Sequence, residues 1–343
     1  MAINSRAPRT VEIIGGGLAG LGLGLGLRRR GIPVCIHEAG RYPRHRVCGE
    51  FITSLDPSTV EDLQLAPFLH DARPASSVTW LAQERTILRH TLPEPALCLS
   101  RHRLDHSMAQ RFVEAGGELR TGSRAAEEEA RPGLVWAAGR RGDTSSPWVG
   151  MKQHVRDIFL QNDLEVHLGR RAYVGLTRVD DQTVNVCGLF HRGRGPAART
   201  LVAQLERSGL HGLSCRIASA QLVPESFCAV AGLAYGRQTE ERGPLRLGDS
   251  FTMIPPFTGH GMTVAWQGAA AALPSLQAWA EGDGDWSRAV GRARRAVGER
   301  VGARCSRGRM LHAWLLHPQT PLMARLLDRA GIFPSSLLCR LLH

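Results

Sequence analysis

The chain has 343 residues, 43% hydrophobic and 22% charged, the composition of a globular protein long enough to bury a sizeable core. No stretch reaches the roughly eighteen uninterrupted apolar residues of a membrane span, and the first ten residues are too short and polar for a secretory leader, so a cytoplasmic protein is expected. The net charge of +12 comes almost wholly from arginine, with Lys152 the only lysine, and its scattered clusters accompany no nucleic-acid motif, so nucleic-acid binding is set aside.

Residues 11–14 read as a strand, followed by a glycine-rich turn and a helix to about Arg30 that Gly31 ends. Residues 33–37 form a second strand closing at Glu38, which completes a strand–helix–strand unit. Residues 77–81 and 85–92 read as a strand pair, and 100–115 as a helix capped by Gly116-Gly117. Leu119 and residues 134–137 are short strands around an acidic turn at 127–129. Segments 164–168, 172–176 and 184–188 are β-rich and separated by turns, which predicts an antiparallel sheet with a helix at 201–210 beside it. Leu245-Arg-Leu247 returns to a strand, then a Pro/Gly loop leads to an Ala-rich helix from about Gly261 to Leu273. The remainder, from Trp286, reads as helical, and the Gly-Leu alternation at 21–27 reads as a local bias. The eight cysteines form no CxxC pair and do not alternate with histidine at ligand spacing, so they read as reduced, mostly buried thiols and no metal site is expected.

Gly15-Gly16-Gly17-Leu18-Ala19-Gly20 contains G-x-G-x-x-G after a strand and at the start of a helix, the context the pattern requires. Gly15 allows the tight turn, Gly17 lets the backbone approach a pyrophosphate, and Gly20 lets helix and strand pack closely. The helix start, with Leu18 and Ala19, offers N–H groups and partial positive charge to phosphates. Glu38 lies where a carboxylate accepts from an adenosine ribose with a free 2′-hydroxyl. The plain alternative is a glycine-rich turn without a ligand. The pattern admits NAD as readily as FAD; the run Leu245-Arg-Leu-Gly-Asp249, then Pro255 to Met262 before a helix, selects FAD. Asp249 at a strand end suits ribityl hydroxyls, and a helix starting near Gly261 aims N–H groups at the isoalloxazine edge that gains negative charge on reduction. The duller reading of Asp249 is a cap on an ordinary turn.

The stretches GGGLAG, HEAGRYPRHRVCGEF, SRHRLDHSMAQ, WVGMKQHV, YVGLTRVDDQTVNVCGLF and LRLGDSFTMIPPFTGHGM follow one another over about residues 11–270. On these, the chain resembles the flavin oxidoreductases related to geranylgeranyl reductases, within the p-hydroxybenzoate-hydroxylase-like superfamily. The resemblance implies an α/β fold in which a Rossmann-type FAD-binding domain (1–75, 98–142 and 242–300) is interleaved with a β-rich antiparallel substrate domain (76–97 and 143–241), with a C-terminal helical cap (301–343). It implies that Gly15, Gly17, Gly20 and Glu38 hold the ADP moiety, that Arg46 and Arg101 lie near the pyrophosphate or ribityl chain, and that Asp249 binds one of these. Gly259, Gly261 and Met262 would flank the pyrimidine ring, with His260 as a titratable group at that edge. Cys48-Gly49-Glu50 matches a Cys-Gly loop close to the flavin; Cys48 is either catalytic, which requires an exposed thiol of depressed pKa, or simply packed. Lys152 is either a cation near an anionic substrate or flavin, or, the plainer reading, a surface residue on a strand. His154 is a further histidine able to titrate near neutrality, more simply structural. Tyr173, Leu176, Val186 and Leu189 are candidate substrate-lining residues, each equally explicable as core.

The chain also departs from relatives. Ala138-Gly139 stands where hydroxylases carry Asp-Gly, the Trp-x-Trp-x-x-Pro signature of flavin halogenases is absent, and residues 172–176 lack the Trp of isoprenoid reductases. The expected reaction is hydride transfer to or from a carbon–carbon bond of an apolar natural-product or lipid-like substrate. The alternatives are monooxygenation of an aromatic or polyketide molecule and, in another class, a non-catalytic flavin-binding protein docked on a membrane surface through its C-terminal helices. No second dinucleotide fingerprint is present, so NAD(P)H would dock transiently as reductant or an electron-donor protein would supply electrons.

Overall fold

The structure, a computed structural model, describes residues 7–125, 131–193, 198–233, 235–237, 243–256 and 259–315, with 317, 319 and 323 beyond. The acidic turn at 127–129 and most of the expected 301–343 cap lie outside the described residues. The opening unit is β1 (Val11–Ile14), α1 (Leu18–Arg29) and β2 (Val34–Glu38), with β1 and β2 paired in parallel. Next come β3 (Phe51–Ile52), the short helices α2 (Pro57–Asp62) and α3 (Ala66–Leu69), and the hairpin β4 (Arg73–Ala82) and β5 (Arg85–Cys98). Helix α4 (Arg101–Glu114), β6 (Glu118–Thr121) and β7 (Leu134–Trp136) follow. The middle of the chain holds β8 (Trp148–Arg156), β9 (Leu164–Gly169), β10 (Ala172–Arg178), β11 (Val184–His191), α5 (Leu201–Arg207), α6 (His211–Ser219) and β12 (Gln221–Ala231). The chain then adds β13 (Gly236–Arg237), β14 (Leu245–Arg246), β15 (Thr252–Met253), α7 (Gly261–Ala280) and α8 (Trp286–Leu315).

Two sheets result. The first is parallel throughout, in the order β14-β7-β1-β2-β6. Its neighbours diverge on either side of β1, so the crevice at the carboxyl end of β1 is the natural ligand position of a doubly wound sheet. The second sheet runs β12-β8-β11-β10-β9-β4-β5-β3 and is antiparallel except where β4 meets β9. That junction is parallel because the chain leaves for the first sheet between the two strands and returns from it. Strand β5 passes Pro93 and Pro95 to reach Cys98, beyond the expected end at Leu92; the ladder skips from Thr91, opposite Ser77, to Ala96, opposite Ala75, which accommodates prolines that cannot donate to it. The expected helix at 201–210 is shorter, because Gly209 at φ +73° breaks it from the unanticipated α6.

The Gly-Leu alternation proves structural rather than a bias. Helix α1 is buried from Leu18 through Leu27, against the first sheet, α4 and α7. A β-carbon at Gly22 would lie 3.0 Å from the Trp266 ring, and one at Gly24 would lie 2.8 Å from Phe112. The glycines give up about 1 kcal/mol each of helix propensity and allow three neighbours to approach a single helix.

In the second sheet, Glu165 of β9 ties α6 to the strands. Arg216 Nη1 donates to its Oε2 at 3.0 Å, His167 Nε2 lies 2.9 Å from the same oxygen, and the Gln161 amide donates to Oε1 at 2.6 Å. Burial pushes this carboxyl up, but the hydrogen bonds outweigh it and hold it at about 2. A carboxyl depressed in the folded state contributes stability above its unfolded value of 4.5, and that stability drains away as pH falls towards about 2. Glu165→Gln is expected to flatten the loss of stability across this window, as read by urea unfolding at stepped pH.

Candidate functional site

The glycine turn at the end of β1 does three separate jobs. Gly15 has φ +112°, and a β-carbon there would sit 2.2 Å from the Ala137 carbonyl oxygen. A β-carbon at Gly20 would sit 1.9 Å from the carbonyl oxygen of Gly15, so its absence sets the closeness of helix and turn. Gly17 is different, because nothing lies within 4 Å of a β-carbon built on it. It is the N-cap of α1 and has no side-chain cap bond, so the first turn, Leu18 and Ala19 included, directs its N–H groups into open space. That is a cradle for an oxyanion.

Glu38 closes one side of the cradle. Its Oε2 accepts from the Gly16 amide at 2.8 Å, and its Oε1 accepts from the Gly40 amide and Arg44 Nη2, each at 2.8 Å. Three of roughly four acceptor positions are therefore filled, and one is left open. The Tyr42 hydroxyl donates to the Gly16 carbonyl and so braces the same turn.

The opposite side comes from β14 and the turn after it. Gly248 adopts φ +60°, and its missing β-carbon would lie 3.1 Å from that of Ala19, which sets Asp249 beside the start of α1. Asp249 is solvent-accessible and yet crowded by protein; the crowding raises its carboxyl above the ordinary range against the pull of Arg101, Arg140 and Arg46. Accessible and crowded together describe a carboxylate in a deep cleft. Buried Asp105 holds two of those arginines, accepting from Arg101 Nε at 2.7 Å and Nη2 at 2.9 Å, and from Arg46 Nε at 2.9 Å. Arg46 also comes within 3.7 Å of Glu38, so the cleft is continuous from the second strand to Asp249.

Cys48 and Glu50 lie along the wall between the sheets. The Cys48 carbonyl accepts from Asn185 Nδ2 at 2.9 Å. Burial pushes its thiol up despite nearby Arg101, while the residue as a whole keeps partial solvent contact. Glu50, at φ +60° and without solvent contact, accepts from the Arg101 amide at 2.9 Å, has Lys152 Nζ at 3.4 Å, and pairs with His154 Nε2 at 2.6 Å. Burial works against its ionisation, but the His154 bond and the Lys152 charge prevail and hold its carboxyl below the usual range. Lys152 Nζ also lies 2.9 Å from His45 Nδ1, and since an ammonium only donates, that nitrogen is the acceptor. The expected surface lysine is thus fully buried, because β8 is an inner strand and Lys152 and His154 share the face of Cys187 and Leu189. His45 is driven down to about 4 by burial first and then by Lys152, His102 and His154.

Helix α7 reaches the same wall. Gly259 has φ +68°, and a β-carbon there would strike Phe51 at 2.2 Å, so α7 begins against the strand that follows the Cys48 loop. His260 is its buried N-cap, Gly261 its first residue, Met262 is buried behind it, and no side chain caps the helix start. Phe257 and Thr258 of the expected motif lie outside the described residues.

The structure therefore gathers Gly17, Glu38, Arg46, Cys48, Arg101 and Asp249 around one cleft, with Gly259 to Met262 beside the Cys48 loop. It does not gather the four expected lining residues. Tyr173 and Leu189 pack with Trp80 and Met253 on one face of the second sheet, whereas Leu176 and Val186 pack beneath α5 and α6 on the other. Strand alternation forbids one pocket wall from all four. Tyr42, His45, Glu50, Asp105 and Arg140 went unassigned. Of these only Asp105 carried a local signal, its four-residue spacing from Arg101. Among the described residues no group of side chains could hold a metal ion, and no helix is long and apolar enough to cross a membrane.

No protein-family model and no curated protein matches the chain. Solved structures do. A geranylgeranyl bacteriochlorophyll reductase-like protein from Thermoplasma acidophilum superposes with a TM-score of 0.73 at 14% identity, covering 96% of this chain and 94% of that one. The flavin-dependent brominase Bmp2 superposes at 0.69 with 16% identity, over 98% and 93% of the two chains. PqsL, a probable FAD-dependent monooxygenase from Pseudomonas aeruginosa, superposes at 0.66 with 15% identity, over 93% and 99%. At these identities the likeness is one of fold: the chain shares the mixed α/β architecture of these solved structures, a parallel sheet joined to a largely antiparallel one.

Removing one member of a buried ion pair strands the other. Lys152→Met is expected to cost about 3 kcal/mol of unfolding free energy in urea titration, and adding Glu50→Gln should recover part of the loss because a neutral amide needs no counter-charge.

Proposed function

We propose that the protein is an FAD-dependent oxidoreductase. The observation that carries this reading is the open cradle at Gly17 facing Asp249 across an arginine-lined cleft. An extended molecule with a pyrophosphate at its centre, an adenosine ribose at one end and polyhydroxylated carbon at the other matches that order of groups. Glu38 would accept from the ribose, and Gly17 with the start of α1 would take the pyrophosphate. Arg46 and Arg101 would neutralise it, and Asp249 would accept from the ribityl chain. Gly259, Gly261 and Met262 would flank the pyrimidine edge, where the uncapped start of α7 favours negative charge and His260 supplies a titratable group. Bound FAD supplies two-electron chemistry that no side chain here can perform. The chain's own residues orient it. Asp105 fixes both arginines, and Lys152 acts through Glu50 as a positioning residue for the Cys48 loop.

Hydride transfer to or from a carbon–carbon bond of an apolar natural-product or lipid-like molecule is the reaction we infer. Its support is the Cys48-Gly49-Glu50 loop, the Ala138-Gly139 pair in place of Asp-Gly, and the apolar face of Trp80, Tyr173 and Leu189. NAD(P)H docking transiently would serve as reductant. Oxygen insertion is the second reading, favoured by the likeness in fold to a probable monooxygenase. Turnover without oxygen to a reduced or desaturated product excludes it; a strict need for oxygen, with oxygenated product, excludes hydride transfer.

The cofactor has a direct test. Purified protein is expected to be yellow, or to rebind FAD with quenching of flavin fluorescence. Gly17→Val fills the open cradle at a backbone conformation any residue adopts, φ −87° and ψ −171°. It is expected to fold with a loss of about 1 kcal/mol or less while weakening FAD by roughly 100-fold or more. A colourless wild type that does not rebind FAD overturns the proposal.

A further inference from the structure

Beyond Glu50 a second cavity, of about 160 Å³, opens among His45 on the loop after β2, His102 and Arg103 of α4, His154 and Arg156 of β8, and Asp180. It shares no lining residue with the cleft assigned to FAD. Its polar groups are nearly all donors. Arg156 has no hydrogen-bond or ion-pair partner for its guanidinium among the described residues, and Arg103 lies at the rim, 60% exposed. The only carboxylate, Asp180, already accepts from the amides of Gln182 at 3.1 Å and Thr183 at 2.8 Å, with Arg103 at 3.6 Å. His45 gives its Nδ1 to Lys152, so its remaining nitrogen is an N–H donor. Its ring stacks on His102 at 4.3 Å and meets His154 edge-on at 5.1 Å. Ser100, the N-cap of the fourteen-residue α4, also lines the cavity and makes no side-chain cap bond, although the Arg101 amide that follows it is taken by Glu50.

Two guanidiniums and imidazole N–H groups around one small cavity, set against the single carboxylate of Asp180, leave positive charge for a ligand to match. We propose that this cavity is an oxyanion subsite, taking the phosphate or carboxylate group of a small molecule that works beside the flavin cleft. Such a group has two sources, the head of an otherwise apolar substrate or the 2′-phosphate of a dinucleotide reductant. The charged and titratable groups around the imidazoles of His45 and His102 are Lys152, Glu50, His154, His106, Arg103, Arg156 and Asp180. Burial first and then the neighbouring cations lower the pKa of His45 and His102, and an anion in the cavity offsets the cations. Binding therefore takes up protons and tightens as pH falls.

Sulfate, whose charge is constant between pH 6 and 8, is the probe, titrated calorimetrically into the purified full chain whatever its flavin content. One saturable site is expected, tighter at the lower pH. Arg156→Gln and Arg103→Gln should each weaken it roughly tenfold, with FAD content and melting temperature unchanged. Arg103 also holds Asp180 at 3.6 Å and donates to the Val179 carbonyl at 3.3 Å, so Arg156→Gln, which breaks no bond among the described residues, is the variant whose loss of binding reads the cavity and not the fold. No saturable heat up to about 10 mM sulfate, or a double variant that binds as the wild type does, overturns the proposal. Competition identifies the source. Displacement of sulfate by NADPH and not by NADH assigns the reductant's phosphate; displacement by farnesyl phosphate and not by farnesol assigns a substrate head group. Because sulfate is read with or without flavin, failure here and failure of the FAD reading remain distinct.

Discussion

A carboxylate without water must be paired, and Glu50 is paired from three directions at once. Its partners are the backbone of α4 through the Arg101 amide, the inner strand β8 through Lys152 and His154, and, through Lys152, the loop that carries His45. Moving any of these elements alone would leave an ion stranded in a low-dielectric interior, at a cost of several kcal/mol. The loop from Tyr42 to Phe51 thus joins the parallel sheet to the mixed one in a single arrangement. Arg46 and Cys48 sit on that loop, and Gly16, Glu38, Arg101 and Gly259 sit against it.

A second charged knot repeats the device nearer the cleft. Asp105 is buried and shared between Arg101 and Arg46, so two cations are held in place rather than left to wander in solvent. Arg101 joins the two knots, since its side chain serves Asp105 and its amide serves Glu50. Rigid, pre-paid orientation of this kind suits a site where charge must be met at fixed positions. Part of the chain's arginine excess is explained by this concentration: Arg46, Arg101 and Arg140 bear on Asp249, while Arg103 and Arg156 line the neighbouring cavity.

Glycine spacing supplies the complementary constraint. Gly15 and Gly20 are small because protein occupies the space, whereas Gly17 is small beside space that nothing in the chain fills. That contrast separates the structural glycines of the turn from the one that suits a ligand, a distinction invisible in the pattern G-x-G-x-x-G alone.

Local chemistry was legible in the residues themselves. The strand–turn–helix of residues 11–29, Glu38 at a strand end, the i,i+4 pairing of Arg101 with Asp105, and the β-rich middle all follow from short-range periodicity, turn geometry and spacing. Features set by distant partners were not. Lys152 looked like a surface residue until β8 was seen to lie between β11 and β12. Tyr173, Leu176, Val186 and Leu189 looked like one wall until alternation sent them to two faces, and the glycines of α1 looked like bias until Trp266 and Phe112 closed on them. The sequence by itself determined where backbone can turn and where a helix start is left uncapped. Only tertiary structure decided which charges meet, because Glu50 lies about a hundred residues from both Lys152 and His154 and no local rule spans that distance.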